Sequence, residues 1–188
     1  MKEDVAPPLR LGQPKAKTTN MVEFDYQVSR EADGWADEAA LEVLSGRVIG
    51  AAADYLVAEE GQPFPVIPVE LSLVFTDDAA IREINAEWRD KDKATNVLSF
   101  PAFPVAPGDM PGPMLGDIVI AYETVAREAD ELEKSFEDHL THLLVHGFLH
   151  LLGYDHIENE EAELMEGLET RILATLGLSD PYQGSDPI

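Results

Sequence analysis

"HGFLHLLGYDH" spans His146–His156 and carries three of the chain's five histidines, at successive spacings of four and six. An α-helix advances about 100° per residue, so side chains four apart stack nearly in register on one face. His146 and His150 therefore lie one turn apart, close enough to reach a single ion. Gly153 stands where such a helix would stop, because glycine accepts the left-handed backbone of a C-terminal cap. The turn it permits can swing His156 back to the same point. Two imidazoles from a helix and one from the turn after it make a three-histidine site. Such a set leaves a zinc ion one open position, as in catalytic rather than structural sites. A lone histidine on an apolar helix is usually an ordinary core or surface residue. Three at this spacing around a glycine are read as metal ligands: His146, His150 and His156, holding one zinc ion. His142 sits on the same face one turn too early and is read as a group that supports or lines the site. Asp155 is read as a carboxylate that orients a ligand histidine, and His139 as a surface residue.

Outward from this segment the chain alternates strand and helix patterns. "VEFDYQV" (22–28) alternates apolar and polar, as a half-buried strand does. A helix is predicted over 35–60, with an apolar stripe of Leu41, Val43, Leu44, Val48, Ile49, Ala52, Tyr55 and Leu56. "VELSLVFT" (69–76) is a strand, and Asp77 or Asp78 caps a helix over 78–88. "TNVLSFP" (95–101) is a short strand stopped by proline. Residues 101–114 hold five prolines and two glycines and form a long loop. "LGDIVIAY" (115–122) is a strand whose unbroken apolar centre predicts an interior place in the sheet. Three helices follow, over 123–133, 135–152 and 159–176, the second opened by the capping pattern "SFED". This order predicts an α+β (mixed α/β) fold: a single domain with one four-stranded sheet packed by helices, and the metal-binding helix near the C-terminus. The domain is placed at 21–178, between a flexible extension (1–20) and a frayed tail (179–188).

Composition narrows the function. The 188 residues include no cysteine, which excludes disulfides and thiolate ligands. No apolar run reaches the roughly 18–20 residues that span a bilayer, and no signal peptide is evident. A cytoplasmic protein with no membrane partner is expected. The formal charge is −24, with 13 basic against 37 acidic residues. Such a surface repels nucleic acid in general, since phosphate binding rests on Lys and Arg. Outside the first 20 residues, Arg89, Lys91 and Lys93 gather three basic groups within five positions.

The histidine spacing also fits the metzincin zinc-protease pattern, H-E-x-x-H-x-x-G-x-x-H. The glutamate that serves as base in those enzymes is replaced here by Gly147. Peptide hydrolysis is therefore the least favoured reading. Inside a helix Gly147 costs up to ~1 kcal/mol relative to alanine. It serves either close packing against a strand or clearance for a substrate beside the metal.

The same eleven residues closely resemble the signature of the YbeY family of rRNA maturation factors, zinc-dependent endoribonucleases. "INAEWRDKDKATNVLSFP" (84–101) and "LGDIVI" (115–120) resemble two further segments of that family. Here Asp90 stands where the family has glycine, and Asn96 where it has aspartate. The resemblance implies zinc on His146, His150 and His156, and a catalytic Arg89 that grips phosphate. It implies single-strand-specific cleavage of RNA in rRNA maturation, at the 3′ end of 16S rRNA, and in ribosome quality control. The expected partners are single-stranded RNA or rRNA and the ribosome or its proteins, and DNA is not expected. A different class stays open beside it: a ribosome-associated assembly factor with a mainly structural zinc and little nuclease activity. The acidic surface favours that alternative, because it suits basic ribosomal proteins.

Overall fold

The computed structural model describes residues 22–183. The extension expected over 1–20 lies outside them, as do residues 184–188 of the expected tail. The elements run β1 (Phe24–Arg30), α1 (Glu38–Glu59), β2 (Val69–Thr76), α2 (Asp78–Arg89), β3 (Val97–Pro101), β4 (Met114–Ala121), α3 (Tyr122–Glu131), α4 (Phe136–Leu151) and α5 (Asn159–Thr175). The strands form one sheet in the order β1-β2-β4-β3. β1, β2 and β4 are parallel, and β3 pairs antiparallel with β4. The α+β architecture and the interior position of β4 match the sequence expectation. Among the described residues, no helix is long and apolar enough to cross a membrane.

Alternation along the strands divides the core between the two faces of the sheet. Leu71, Leu73 and Phe75 of β2 and Ile118 and Ile120 of β4 meet α1, α4 and α5 in the main cluster. Leu98, Val119 and Ala121 join Ile81 of α2 in a smaller one. On α1, Val43 departs from the predicted stripe, being 74% exposed. Ser45 takes an inward place instead.

Several local signals explain the boundaries. Asp77, rather than Asp78, caps α2 by accepting from Ala80 N at 2.8 Å. β3 starts later than predicted, because the Asn96 side chain accepts from Val97 N at 2.6 Å and turns the chain there. Ser135 caps α4 by accepting from Asp138 N at 3.1 Å. At its other end, Gly153 N donates to His150 O and Tyr154 N to Leu149 O, both at 3.1 Å. That pairing is the Schellman motif. Gly153 has φ of +92°, and a Cβ there would lie 2.2 Å from Val105 O. Glycine is thus required twice over: by backbone sign and by the proline-rich loop packed on it. Gln62 ties that loop down, donating to Asp109 O at 2.8 Å and accepting from Gly108 N at 3.2 Å.

α4 is buried nearly all round, with ten of its 16 residues inside. It packs against α1, α3, α5, β3 and β4. An all-round apolar helix belongs in a core, and this one passes through the centre of the domain. Gly147 lets it do so. A Cβ at Gly147 would meet Ile118 Cγ2 and Ser99 Oγ, each at 3.1 Å. Of the two readings of this glycine, close packing is the one the geometry carries. In the described part of the tail, Lys134 Nζ donates to Pro181 O at 3.3 Å and the Tyr182 hydroxyl meets a buried carboxylate.

Two substitutions test these backbone arguments. Gly147→Ala is expected to destabilise the protein by about 1–3 kcal/mol, the usual cost of overpacking a core. The expected readout is a lower urea midpoint at unchanged slope. Asp90 caps α2 with φ of +55° and ψ of +31°, the left-handed region. Asp90→Gly is expected to stabilise by about 0.5–1 kcal/mol and to raise the same midpoint.

Candidate metal centre

α4 and the turn after it bring the three predicted ligands together. His146, His150 and His156 each offer a nitrogen, and these atoms lie within 4.8 Å of one another. His146 and His150 are half-buried on α4, while His156 is exposed on the turn.

Partners on the far side of the His146 and His150 rings fix their tautomers. His150 Nδ1 lies 2.9 Å from the Tyr154 carbonyl, which can only accept, so Nδ1 carries the proton. His146 Nδ1 lies 2.7 Å from Glu169 Oε1 and donates for the same reason. Both Nε2 atoms then present lone pairs, and they face each other at 3.0 Å. Two acceptors at that distance repel unless a cation lies between or beside them. The arrangement therefore fits a metal ion on nitrogen ligands, with both remaining ring nitrogens already engaged. Burial, followed by the charges of His146 and His156, pushes His150 down to about 4 against the opposing pull of Tyr154 and Asp155. At neutral pH it is uncharged, the form that ligates.

Glu169, which the sequence reading does not single out, stands directly behind the candidate ligands. It is fully buried at 0% exposure. Oε1 accepts from His146, and Oε2 accepts from His142 Nε2 at 2.6 Å and from the Tyr182 hydroxyl. Burial pushes its carboxyl up, but the bonds and charges of His142 and His146 outweigh burial and hold it at about 2. A signal was present: Glu169 interrupts the inward row Met165, Leu168, Ile172 and Leu173 of α5. His142 thus reaches the centre indirectly, through the carboxylate it shares with His146.

Two placements differ from the sequence reading. His139 is in the core, 4% exposed, with Nε2 at 2.7 Å from Glu128 Oε2. It is buried because α3 packs against α4 there and brings Glu128 to it. Asp155 accepts from the backbone N–H of His156 at 2.8 Å. It thereby shapes the turn that carries His156, while the ring-orienting bond to His150 comes from the Tyr154 carbonyl.

Arg89 closes the other side of the cleft. Its Nη2 donates to Ser99 O at 2.9 Å, and its guanidinium lies 5.5 Å from the centre of the Phe100 ring. Arg47, Arg82, Arg127 and Arg171 all pair with carboxylates. Arg89 has no such partner among the described residues. A cleft of about 640 Å³ is lined by Arg89, Lys91, Asn96, the three candidate ligands and Asp155, among others.

Glu169→Gln keeps the shape but replaces one accepting oxygen with a donor. Its affinity for Zn²⁺ or Co²⁺, measured by titration calorimetry, is expected to fall about 10–100-fold, as for other outer partners of ligand histidines.

Comparisons with known proteins place this geometry in a family. The family model described as Endoribonuclease YbeY matches residues 19–177. Proteins named Endoribonuclease YbeY from Agrobacterium fabrum and Rhizobium etli are 73% and 74% identical over 168 and 166 residues. Those alignments cover 89% and 88% of this chain and 100% and 97% of the relatives. A namesake from Sinorhizobium fredii is 69% identical over 167 residues, 89% of this chain and 96% of its own. The matched span, 19–177, includes the segments that form both walls of the cleft, and the chain belongs to the YbeY endoribonuclease family.

Proposed function

We propose that this chain is a single-strand-specific, metal-dependent endoribonuclease of the cytoplasm that acts in rRNA maturation, at the 3′ end of 16S rRNA, and in ribosome quality control. The name carried by its relatives supports the activity. The observation that carries the reading is a charged arginine, free of carboxylate partners among the described residues, facing three convergent imidazoles across one cleft.

In this reading His146, His150 and His156 hold one zinc ion. When bound, the ion supplies Lewis acidity toward a phosphate oxygen or a water. Arg89 is the catalytic residue on the opposite wall. Its fork can grip two phosphate oxygens and stabilise the charge that grows on them as the ester bond breaks. The Phe100 ring and the Ser99 carbonyl hold that fork in place before substrate arrives. Lys91 adds a second positive charge to the lining. Asp155 and the Tyr154 carbonyl keep the histidine turn closed around the same point. Ribosomal delivery fits the formal charge of −24, which complements basic ribosomal proteins better than bare RNA.

Two measurements test this reading. Purified protein is expected to cut a single-stranded RNA, and both His150→Ala and Arg89→Glu are expected to lose at least about 100-fold in rate, the scale of removing one charge-stabilising donor. Equal cleavage by the variants would assign the activity to a contaminant. Binding of uncleaved RNA is expected to depend only weakly on salt, because two or three basic groups meet phosphate. On single strands each contributes about 0.7 to the slope of log K against log salt. Arg89→Ala is expected to flatten that slope by about 0.7.

A further inference from the structure

The described segment after α5, residues 180–183, packs on the candidate metal centre, and nothing in the proposed chemistry uses it. Tyr182 reaches back across 13 residues, and its hydroxyl donates to Glu169 Oε2. The same hydroxyl lies 3.3 Å from His142 Nε2, and the tyrosine ring meets the His142 ring edge-on at 5.6 Å. The short segment before it is built to hold this pose. Asp180 Oδ1 accepts from Tyr182 N at 2.8 Å and from Thr170 Oγ1 at 3.2 Å. Lys134 Nζ secures Pro181 O at 3.3 Å. Burial and the neighbouring Glu169 raise the Tyr182 hydroxyl well above the ordinary tyrosine range, so it remains a donor.

A buried carboxylate is expensive unless its oxygens are satisfied. Glu169 meets that condition with three donors, from His142, His146 and Tyr182. The tyrosine is the one donor of the three that is not a histidine of α4. It comes from outside both helices and meets the same oxygen, Oε2, that receives His142. The plane of that carboxylate determines how the His146 ring is turned and which nitrogen it protonates.

We propose that the C-terminal segment completes the metal centre: Tyr182 is a positioning residue that orients Glu169, and Glu169 in turn holds His146 with Nε2 free for the ion. This rests on the reading of His146, His150 and His156 as ligands. It also makes 180–183 part of the site and not a tail that can be trimmed.

Tyr182→Phe in the full chain is the discriminating variant. It keeps the ring and its contact with His142 and removes only the hydroxyl. Zinc affinity, read by competition with a chromophoric chelator, is expected to fall about tenfold, the lower end for outer partners of a ligand histidine. The visible spectrum of the Co²⁺ form is expected to shift. Unfolding of the metal-free protein is expected to stay near that of the wild type, which a merely structural role would not combine with weaker binding. Asp180→Ala leaves Glu169, the histidines and the Tyr182 hydroxyl in place but removes the bonds to Tyr182 N and Thr170 that hold the segment, and it is expected to weaken zinc binding in the same direction, by less. If wild type binds zinc and Tyr182→Phe binds it within twofold, with an unchanged cobalt spectrum, the proposal is overturned while the metal reading stands. If wild type binds no zinc, both fall.

Discussion

The contact on which the cleft depends is that of α4 with the sheet at Gly147. With no side chain at that position, the helix backbone lies against Ile118 of β4 and Ser99 of β3. Ser99 then works in two directions. Its hydroxyl donates to Gly147 O at 3.1 Å, and its own carbonyl receives the Arg89 guanidinium. One strand residue therefore ties the helix that carries the imidazoles to the arginine on the opposite wall. Packed interiors are nearly incompressible, so this contact holds the two walls at a fixed separation.

The helix so placed carries four histidines, and the protein puts them to different ends by what it sets behind them. His139 faces Glu128 of α3, and His142 and His146 share Glu169 of α5. His150 faces a backbone carbonyl. Breaking one of these buried pairs leaves an uncompensated charge, whereas the intact pair adds little net stability. Their value lies in geometry. Each partner takes one ring nitrogen, and for His146 and His150 what remains is a lone pair aimed at a common point.

Spacing made the near side of the site legible. Four-residue steps and a helix-ending glycine are local facts, and they place His146, His150 and His156 without knowledge of any other element. The far side is not local. Glu169 stands 23 residues from His146, and Tyr182 stands 40 from His142. Such pairs exist only once α5 and the tail have packed. His139 shows the same limit, since periodicity ranks helix faces but cannot tell which face a neighbouring helix will cover. Fold class survived these errors because strand alternation, the apolar centre of β4 and proline placement are all read within a few residues. Asp155 is adjacent to His156 in sequence, and its carboxylate meets the neighbouring backbone N–H and not the ring.

Asn96 shows how one neighbour can decide what a family position requires. Its amide nitrogen donates to Glu128 Oε2 at 3.0 Å, and that carboxylate also receives His139. Burial pushes Glu128 up, and the bonds from His139 and Asn96 outweigh it, leaving the carboxyl below the ordinary range. An aspartate at this position would set two carboxylates face to face. At an effective dielectric of about 20, like charges some 4 Å apart repel by roughly 4 kcal/mol, and one would have to take up a proton or a cation. The amide removes that conflict while keeping the oxygen that accepts from Val97 N and starts β3. Because β3 carries Ser99, the start of that strand bears on the position of both Gly147 and Arg89. The side chain at 96 therefore acts on the cleft through strand register, and the loss of a charge there is matched by a bond to the glutamate behind it.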